Sequence, residues 1–206
     1  MLANLYMRRF ILGWKQLGHE ERLQAVIVNY ADDFVICSRG HAAEALAAMR
    51  AMMSKLRLTV NEAQTRRCRG PDEAFNLLGY TIGTCYARKT GWSDTGVRPS
   101  DQKIQGLKLK LSELTDRRWL WLEPDEMVGR LNHVLRGWAN YFCLGPVTAA
   151  YRNVTAHACY RFRQWLVRKY PGQGSKWSRY ADQHLHETWG LLRLRRRPSA
   201  RSCATA

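Results

Sequence analysis

The sequence predicts an α+β chain: antiparallel strands with packed helices in roughly the first half, then an α-helical bundle. Three observations carry this. Short apolar runs rich in β-branched residues flank turn residues before position 99. Long stripes at helical spacing dominate after it. The charge also changes: residues 1–99 carry 14 Lys/Arg against 9 Asp/Glu, whereas residues 100–206 carry 19 against 8.

In chain order, Leu2, Leu5, Tyr6, Phe10 and Trp14 recur at helical spacing and predict a first helix to Trp14. Leu23 to Val28 and Phe34 to Ser38 predict two strands of a hairpin, with Tyr30-Ala31-Asp32-Asp33 at its turn. After Gly40, the stripe Ala42, Ala45, Leu46, Met49, Met53 and Leu56 predicts a helix packed on a sheet. Phe75 to Gly83 predicts a short hairpin, in which Gly79 and Gly83 suit a tight bend or close backbone approach. Gly91 to Arg98 predicts an edge strand, and Pro99-Ser100-Asp101 a boundary with Ser100 as helix cap.

Three amphipathic helices should follow. The first carries Ile104, Leu107, Leu111 and Leu114; the second starts at Pro124 and carries Leu131, Leu135, Trp138 and Phe142. The third runs from about Val147 to Lys169 through Tyr151, Val154, Ala158, Phe162, Trp165 and Leu166, and a weaker helix covers Ser175 to Thr188. Helical periodicity accounts for Trp138 and Trp165 as packing residues rather than base-stacking platforms. The expected domains are therefore 1–98, 99–194 and a basic flexible tail at 195–206, with Arg193 to Arg197 a nonspecific arm.

The net charge of +16 implies a polyanionic partner, either nucleic acid or an anionic membrane surface. No acidic residue lies between Met127 and Ala181, and a merely solvated surface would mix both signs. Lys103, Lys108, Lys110, Arg136, Arg152, Arg161, Arg163, Arg168 and Lys169 are the expected polyanion contacts, RNA-binding residues if the partner is RNA, because Arg forks hold phosphate oxygens and a track of cations follows a phosphate backbone. Six scattered cysteines form no Cys-x-x-Cys, so free thiols in a reducing cytoplasm are expected. His184 and His186 are two apart and do not share a helix face, which argues against a metal pair. No apolar run is long enough to span a membrane.

The aspartate pair is the candidate centre. A turn that had only to turn would favour Asn-Gly or Asp-Gly over two adjacent carboxylates. Mg²⁺ is a hard ion that takes oxygen ligands, and it is commonly held by one or two carboxylates plus substrate phosphates. Asp32 and Asp33 are therefore candidate metal-holding residues, beside the plainer reading that turns favour Asp for its backbone hydrogen bonds.

Val26 to Ile36, centred on Tyr30-Ala31-Asp32-Asp33, resembles the palm hairpin of reverse transcriptases encoded by bacterial group II introns. Phe75 to Gly83 resembles the short hairpin that closes that palm and grips the primer end. Leu131-Asn132 and Leu135-Arg136-Gly137-Trp138-Ala139-Asn140-Tyr141-Phe142 resemble the maturase-specific thumb. The resemblance runs from about Leu2 to Leu194 and implies a partial reverse-transcriptase palm followed by a helical thumb bundle.

It also implies two-metal phosphoryl transfer with Mg²⁺, Asp32 as direct ligand and Asp33 as its auxiliary neighbour. Tyr30, Ala31, Leu78, Gly79 and Tyr80 would lie near the primer or nucleotide. The implied partners are intron RNA, an RNA template with DNA primer, and a separate chain bearing the fingers and first half of the palm, none of whose motifs occur here. Gln64 stands where the family has a lysine. The expected function is thus the C-terminal part of an RNA-directed DNA polymerase/maturase, inactive in polymerisation alone. The alternatives are a non-catalytic RNA-binding splicing module and a degenerate remnant.

Overall fold

The computed structural model describes residues 2–70, 73–86, 93–172 and 175–196. The chain is α+β and divides into two compact units, residues 1–70 and 71–206.

In the first unit, α1 (Leu2–Gln16) and α2 (His19–Arg22) precede a hairpin of β1 (Ala25–Tyr30) and β2 (Asp33–Ser38), and α3 (Ala42–Lys55) follows. Met7, Phe10 and Trp14 recur at three- and four-residue spacing and so share one face of α1. They bury against Leu23, Ala25 and the Met49, Met52 and Met53 side of α3. The Trp14 indole donates to the Ala25 carbonyl at 3.0 Å, which ties α1 to the start of β1. Phe10 meets Phe34 with ring centroids 5.4 Å apart.

The hairpin register pairs Ile27 with Ile36, Val28 with Val35 and Tyr30 with Asp33. Strand alternation turns Ile27, Phe34 and Ile36 toward the core. The other face carries Val26, Val28 and Tyr30, which are 49%, 56% and 67% exposed. The hairpin is therefore buried on one side only. Its first strand begins two residues later than the sequence suggested and runs up to the turn.

The second unit opens with an antiparallel sheet of β3 (Phe75–Leu77), β4 (Tyr80–Tyr86) and β5 (Ser93–Pro99), in that order. Then come α4 (Asp101–Leu114), a 3₁₀ turn (Arg117–Trp119), α5 (Pro124–Tyr141) and α6 (Thr148–Lys169). Ser100 caps α4, its hydroxyl accepting from the Lys103 amide, and Pro124 opens α5. Instead of one helix over 175–188 there are two short ones, α7 (Lys176–Arg179) and α8 (Asp182–Glu187).

The core joins Leu107 and Leu111 of α4, Met127, Leu131 and Leu135 of α5, and Val154, Phe162, Trp165 and Leu166 of α6. Trp165 is fully buried, and Trp138 packs on this core while half-buried, as the helical spacing required. Pro99 is the last residue of β5, and the division between compact units falls at Gly70/Pro71. Among the described residues no helix is long and apolar enough to cross a membrane. The five described cysteines, 37, 68, 85, 143 and 159, are all free thiols.

Gly190 to Arg196 form a strap without regular secondary structure that packs on the bundle, rather than a loose arm. Leu191 and Leu194 are buried in the bundle core. Asn132 on α5 clamps the strap with its side-chain amide, donating to the Gly190 carbonyl at 2.9 Å and accepting from the Leu192 amide at 2.7 Å. The Leu194 amide donates to the Thr155 hydroxyl at 3.2 Å. The flexible tail expected at 195–206 falls, from residue 197 on, outside the described residues.

Candidate metal centre and nucleic-acid interface

The Tyr30–Asp33 pair closes a loop of two residues, Ala31 and Asp32. Ala31 has φ 54°, a left-handed backbone that costs an L-residue about 1 kcal/mol. Two-residue hairpin loops need positive φ to match strand twist and usually place glycine or asparagine there. Ala31 thus holds a strained conformation beside the two carboxylates, and strain of this kind clusters at functional sites. Asp32 and Asp33 are exposed. Among the described residues no group of three or more His, Cys, Asp or Glu converges to hold a metal.

Replacing Ala31 with glycine should stabilise the first unit by about 0.5 kcal/mol, because relief of the left-handed strain outweighs glycine's larger unfolded-state entropy. The urea midpoint of unfolding checks this; an unchanged or lower midpoint would show that the turn stores no strain.

The β3–β4 turn is built differently. Leu78 and Gly79 both have positive φ, 52° and 78°. A Cβ on Gly79 would lie 3.0 Å from Lys103 Cε and 3.2 Å from Phe142 Cζ, so only glycine suits both the conformation and the space. Three hydrogen bonds hold the turn against the helices. The Ser100 amide donates to the Gly79 carbonyl at 2.9 Å. The Tyr141 hydroxyl donates to the Leu78 carbonyl at 3.0 Å. The Tyr80 hydroxyl donates to the Tyr141 carbonyl. Leu78, Gly79 and Tyr80 are thereby fixed as one rigid corner with the α5 C-terminus.

The expected RNA-binding cations divide into two sets. Arg136, Arg152 and Arg168 are exposed and make no ion pair or hydrogen bond among the described residues. Lys103 is exposed and Lys108 half-buried, while Lys110 reaches Glu113 at 3.7 Å in a solvated pair worth little.

Arg161, Arg163 and Lys169 require correction, because their charged heads are used inside the protein. Arg163 is 1% exposed; it donates to the Tyr180 carbonyl at 2.6 Å and to Asp182, and lies 4.0 Å over the Trp177 ring. It locks α7 and α8 onto α6. Arg161 donates to the Thr115 hydroxyl at 3.0 Å and the Ser112 carbonyl at 2.9 Å, which fastens α6 to the end of α4. Lys169 donates to the Leu120 carbonyl at 3.1 Å and approaches Glu123 at 3.5 Å.

Sequence reasoning missed Asn132 as a clamp, and with it the placement of Arg193, Arg195 and Arg196. Leucines at 191, 192 and 194 among those arginines were the available signal of a half-buried segment.

His157 on α6 sits between α4 backbone and neighbouring cations. Its Nε2 lies 3.1 Å from the Lys108 carbonyl oxygen, which can only accept, so this nitrogen carries the proton. Burial holds the imidazole below its ordinary value of 6.5; the bond to the Lys108 carbonyl pulls it upward in part, and the charges of Lys108 and Arg161 push it down again. The folded state therefore takes up the proton less readily than the unfolded chain. The stability this gives is complete above pH 6.5 and is lost as pH falls through the lower folded value. The melting temperature of the chain should drop between neutral pH and pH 5, and His157→Gln should reduce that drop. An identical pH profile in the variant would remove His157 as the cause.

Cys159 and His186 also meet, at 3.4 Å. His186 Nδ1 donates to the Leu191 carbonyl at 2.7 Å, so Nε2 is free to accept from the thiol. Burial pushes this thiol up to about 11, which keeps it protonated and makes the pair a structural contact rather than an activated nucleophile.

A basic helical unit with no acidic residue from Met127 to Ala181, fronted by a small antiparallel sheet, is a scaffold suited to polyanions. Residues 104–182, from α4 through the first residue of α8, match the family model of the group II intron maturase-specific domain. Over that stretch, less than half of the chain, the unit is similar to such a domain. No curated protein matches the chain.

Proposed function

We propose that this chain is the C-terminal part of a group II intron maturase/reverse transcriptase, and that it binds intron RNA through its second unit to assist splicing. The observation that carries this is the maturase-specific match on a helical unit whose exposed cations face no acidic residue from Met127 to Ala181. Lys103, Lys108, Arg136, Arg152 and Arg168 contact phosphates in this reading, and Arg161, Arg163 and Lys169 hold the scaffold that presents them.

The first unit is proposed as the palm hairpin of an RNA-directed DNA polymerase. Asp32 and Asp33 supply hard oxygen donors at an exposed turn, which fits part of a Mg²⁺ site. When bound, Mg²⁺ would neutralise charge on the reacting phosphates. The carboxylates hold position and charge there, while Tyr30 presents a flat, exposed ring on the same strand face as Asp33. Positioning and electrostatics make up nearly all of such catalysis, and two adjacent carboxylates fall short of a two-ion site. Polymerisation is therefore assigned to a complex in which another polypeptide segment adds a carboxylate and covers Val26 and Val28.

Two assays test this together. The purified chain should bind transcribed group II intron RNA with steep salt dependence, yet give no primer extension on an RNA template with Mg²⁺. Absence of RNA binding would refute the maturase reading. Extension by the chain alone that vanishes on joint Asp32→Ala and Asp33→Ala replacement would show that the pair needs no further carboxylate.

A further inference from the structure

Apart from the exposed cations Lys103, Arg136 and Arg168, the second unit carries a further basic feature. A groove of about 980 Å³ lies between α6, α8 and the strap. Arg152 rises from α6 on one side, and Arg193, Arg195 and Arg196 project from the strap on the other. All four are exposed, and none makes an ion pair or hydrogen bond among the described residues. Two carboxylates also line the groove. Asp182 is neutralised by Arg163, and Glu187 is gripped by the Gln183 amide at 3.0 and 3.1 Å. The balance is positive, and the cations stand on both walls.

The walls are held in place. The strap is fixed by Asn132, by the His186 bond to the Leu191 carbonyl, and by Thr155. An arginine on a pinned backbone loses less freedom on binding than one on a free tail, so it contributes more affinity per contact. Guanidinium forks match phosphate oxygens bidentately and remain charged at any working pH. A segment lined with such forks is suited to follow an extended chain of phosphates.

We infer that the groove between α6, α8 and the Gly190–Arg196 strap seats the sugar-phosphate backbone of a single RNA strand, with Arg152, Arg193, Arg195 and Arg196 as its contacts. This rests on the RNA-binding reading above and places a distinct strand site on the far C-terminal segment, where an unstructured arm was expected. Glu187 acts against the ligand and limits affinity.

The test measures binding of a fluorescein-labelled oligouridylate to the full chain by anisotropy across a salt series. Joint Arg152→Gln, Arg193→Gln and Arg195→Gln should weaken binding about tenfold or more and flatten the log–log salt slope by about 2, three contacts at about 0.7 each for single strands. Arg8→Gln, Arg9→Gln and Lys15→Gln remove the same charge from the first unit and should change affinity about threefold at most. Glu187→Gln should strengthen binding about two- to threefold. Unaltered thermal melting would establish that each variant is folded.

If the unaltered chain binds no RNA, the maturase reading fails and this inference with it. If the chain binds but both triple variants weaken alike, the charge is diffuse and only the groove is overturned. Unchanged RNA affinity with lost binding to phosphatidylserine vesicles would make the groove a membrane contact and overturn it equally.

Discussion

Gly145→Ala should destabilise the second unit by about 2 to 4 kcal/mol, or prevent its folding, since native domains rest on only about 5–15 kcal/mol in total. The reason lies in the loop between α5 and α6. Gly145 has φ 74°, which an alanine adopts at a cost of about 1 kcal/mol. Its added Cβ would also lie 1.8 Å from the Val97 carbonyl oxygen and 2.9 Å from the carbonyl carbon. These are backbone atoms of β5, which cannot swing aside like the tip of a flexible side chain. Either the loop or the strand must shift, and forced displacement in packed regions costs about another 1–3 kcal/mol.

Two other glycines supply the control. Gly129 and Gly137 lie within α5, and a Cβ on either meets no atom within 4 Å. There alanine should stabilise by about 0.5–1 kcal/mol through helix propensity alone. Urea unfolding of the three variants should give one large loss and two small gains. A Gly145→Ala protein as stable as the parent would mean that β5 and the loop are not in contact as described.

Arg163→Met is the second large effect, and it separates scaffold from ligand contact. Methionine fills much of the volume but leaves the Tyr180 carbonyl without its donor, a loss of about 1–3 kcal/mol. The Asp182 side chain is 65% exposed, so the broken ion pair adds little. The total should be about 2 kcal/mol, read as a lower melting temperature. RNA affinity measured below that temperature should fall no more than about two- to threefold, through the Asp182 carboxylate left unneutralised at the groove. Arg168→Met should do the reverse, leaving stability within about 0.5 kcal/mol and weakening binding. An Arg163 variant that keeps its stability and loses RNA would return this residue to the interface.

What the sequence revealed, and what it hid, follows from the range of each interaction. The hairpin around Ala31, the stripes of α5 and α6, and the Ser100 cap are set by neighbours within a few positions, so periodicity and turn chemistry exposed them. The fates of Arg161, Arg163 and Lys169 were hidden because their partners include backbone carbonyls at Ser112, Tyr180 and Leu120. Every residue has a carbonyl, so a search for acidic partners cannot find which one accepts. Asn132 stands in the Leu131-Asn132 motif, yet its partners lie 58 and 60 positions away. The Asp32–Asp33 turn was visible from two residue types and their flanks. That one hairpin face is apolar yet exposed could be learned only from the register and from what packs on the opposite side.

The Asn132 clamp also sets an order for synthesis. A chain is made from its N-terminus and its domains fold as they emerge. Leu131 and Leu135 are in place early, but the leucines that complete their surroundings, Leu191 and Leu194, come about sixty residues later. Until they leave the ribosome, the bundle stands with an open apolar side and an amide on α5 that has nothing to grip. A message cut at codon 189 would yield every long helix and still release a protein with its core ajar, a natural substrate for chaperones and proteases. Residues 190–196 thus serve as a check that translation has passed through this unit.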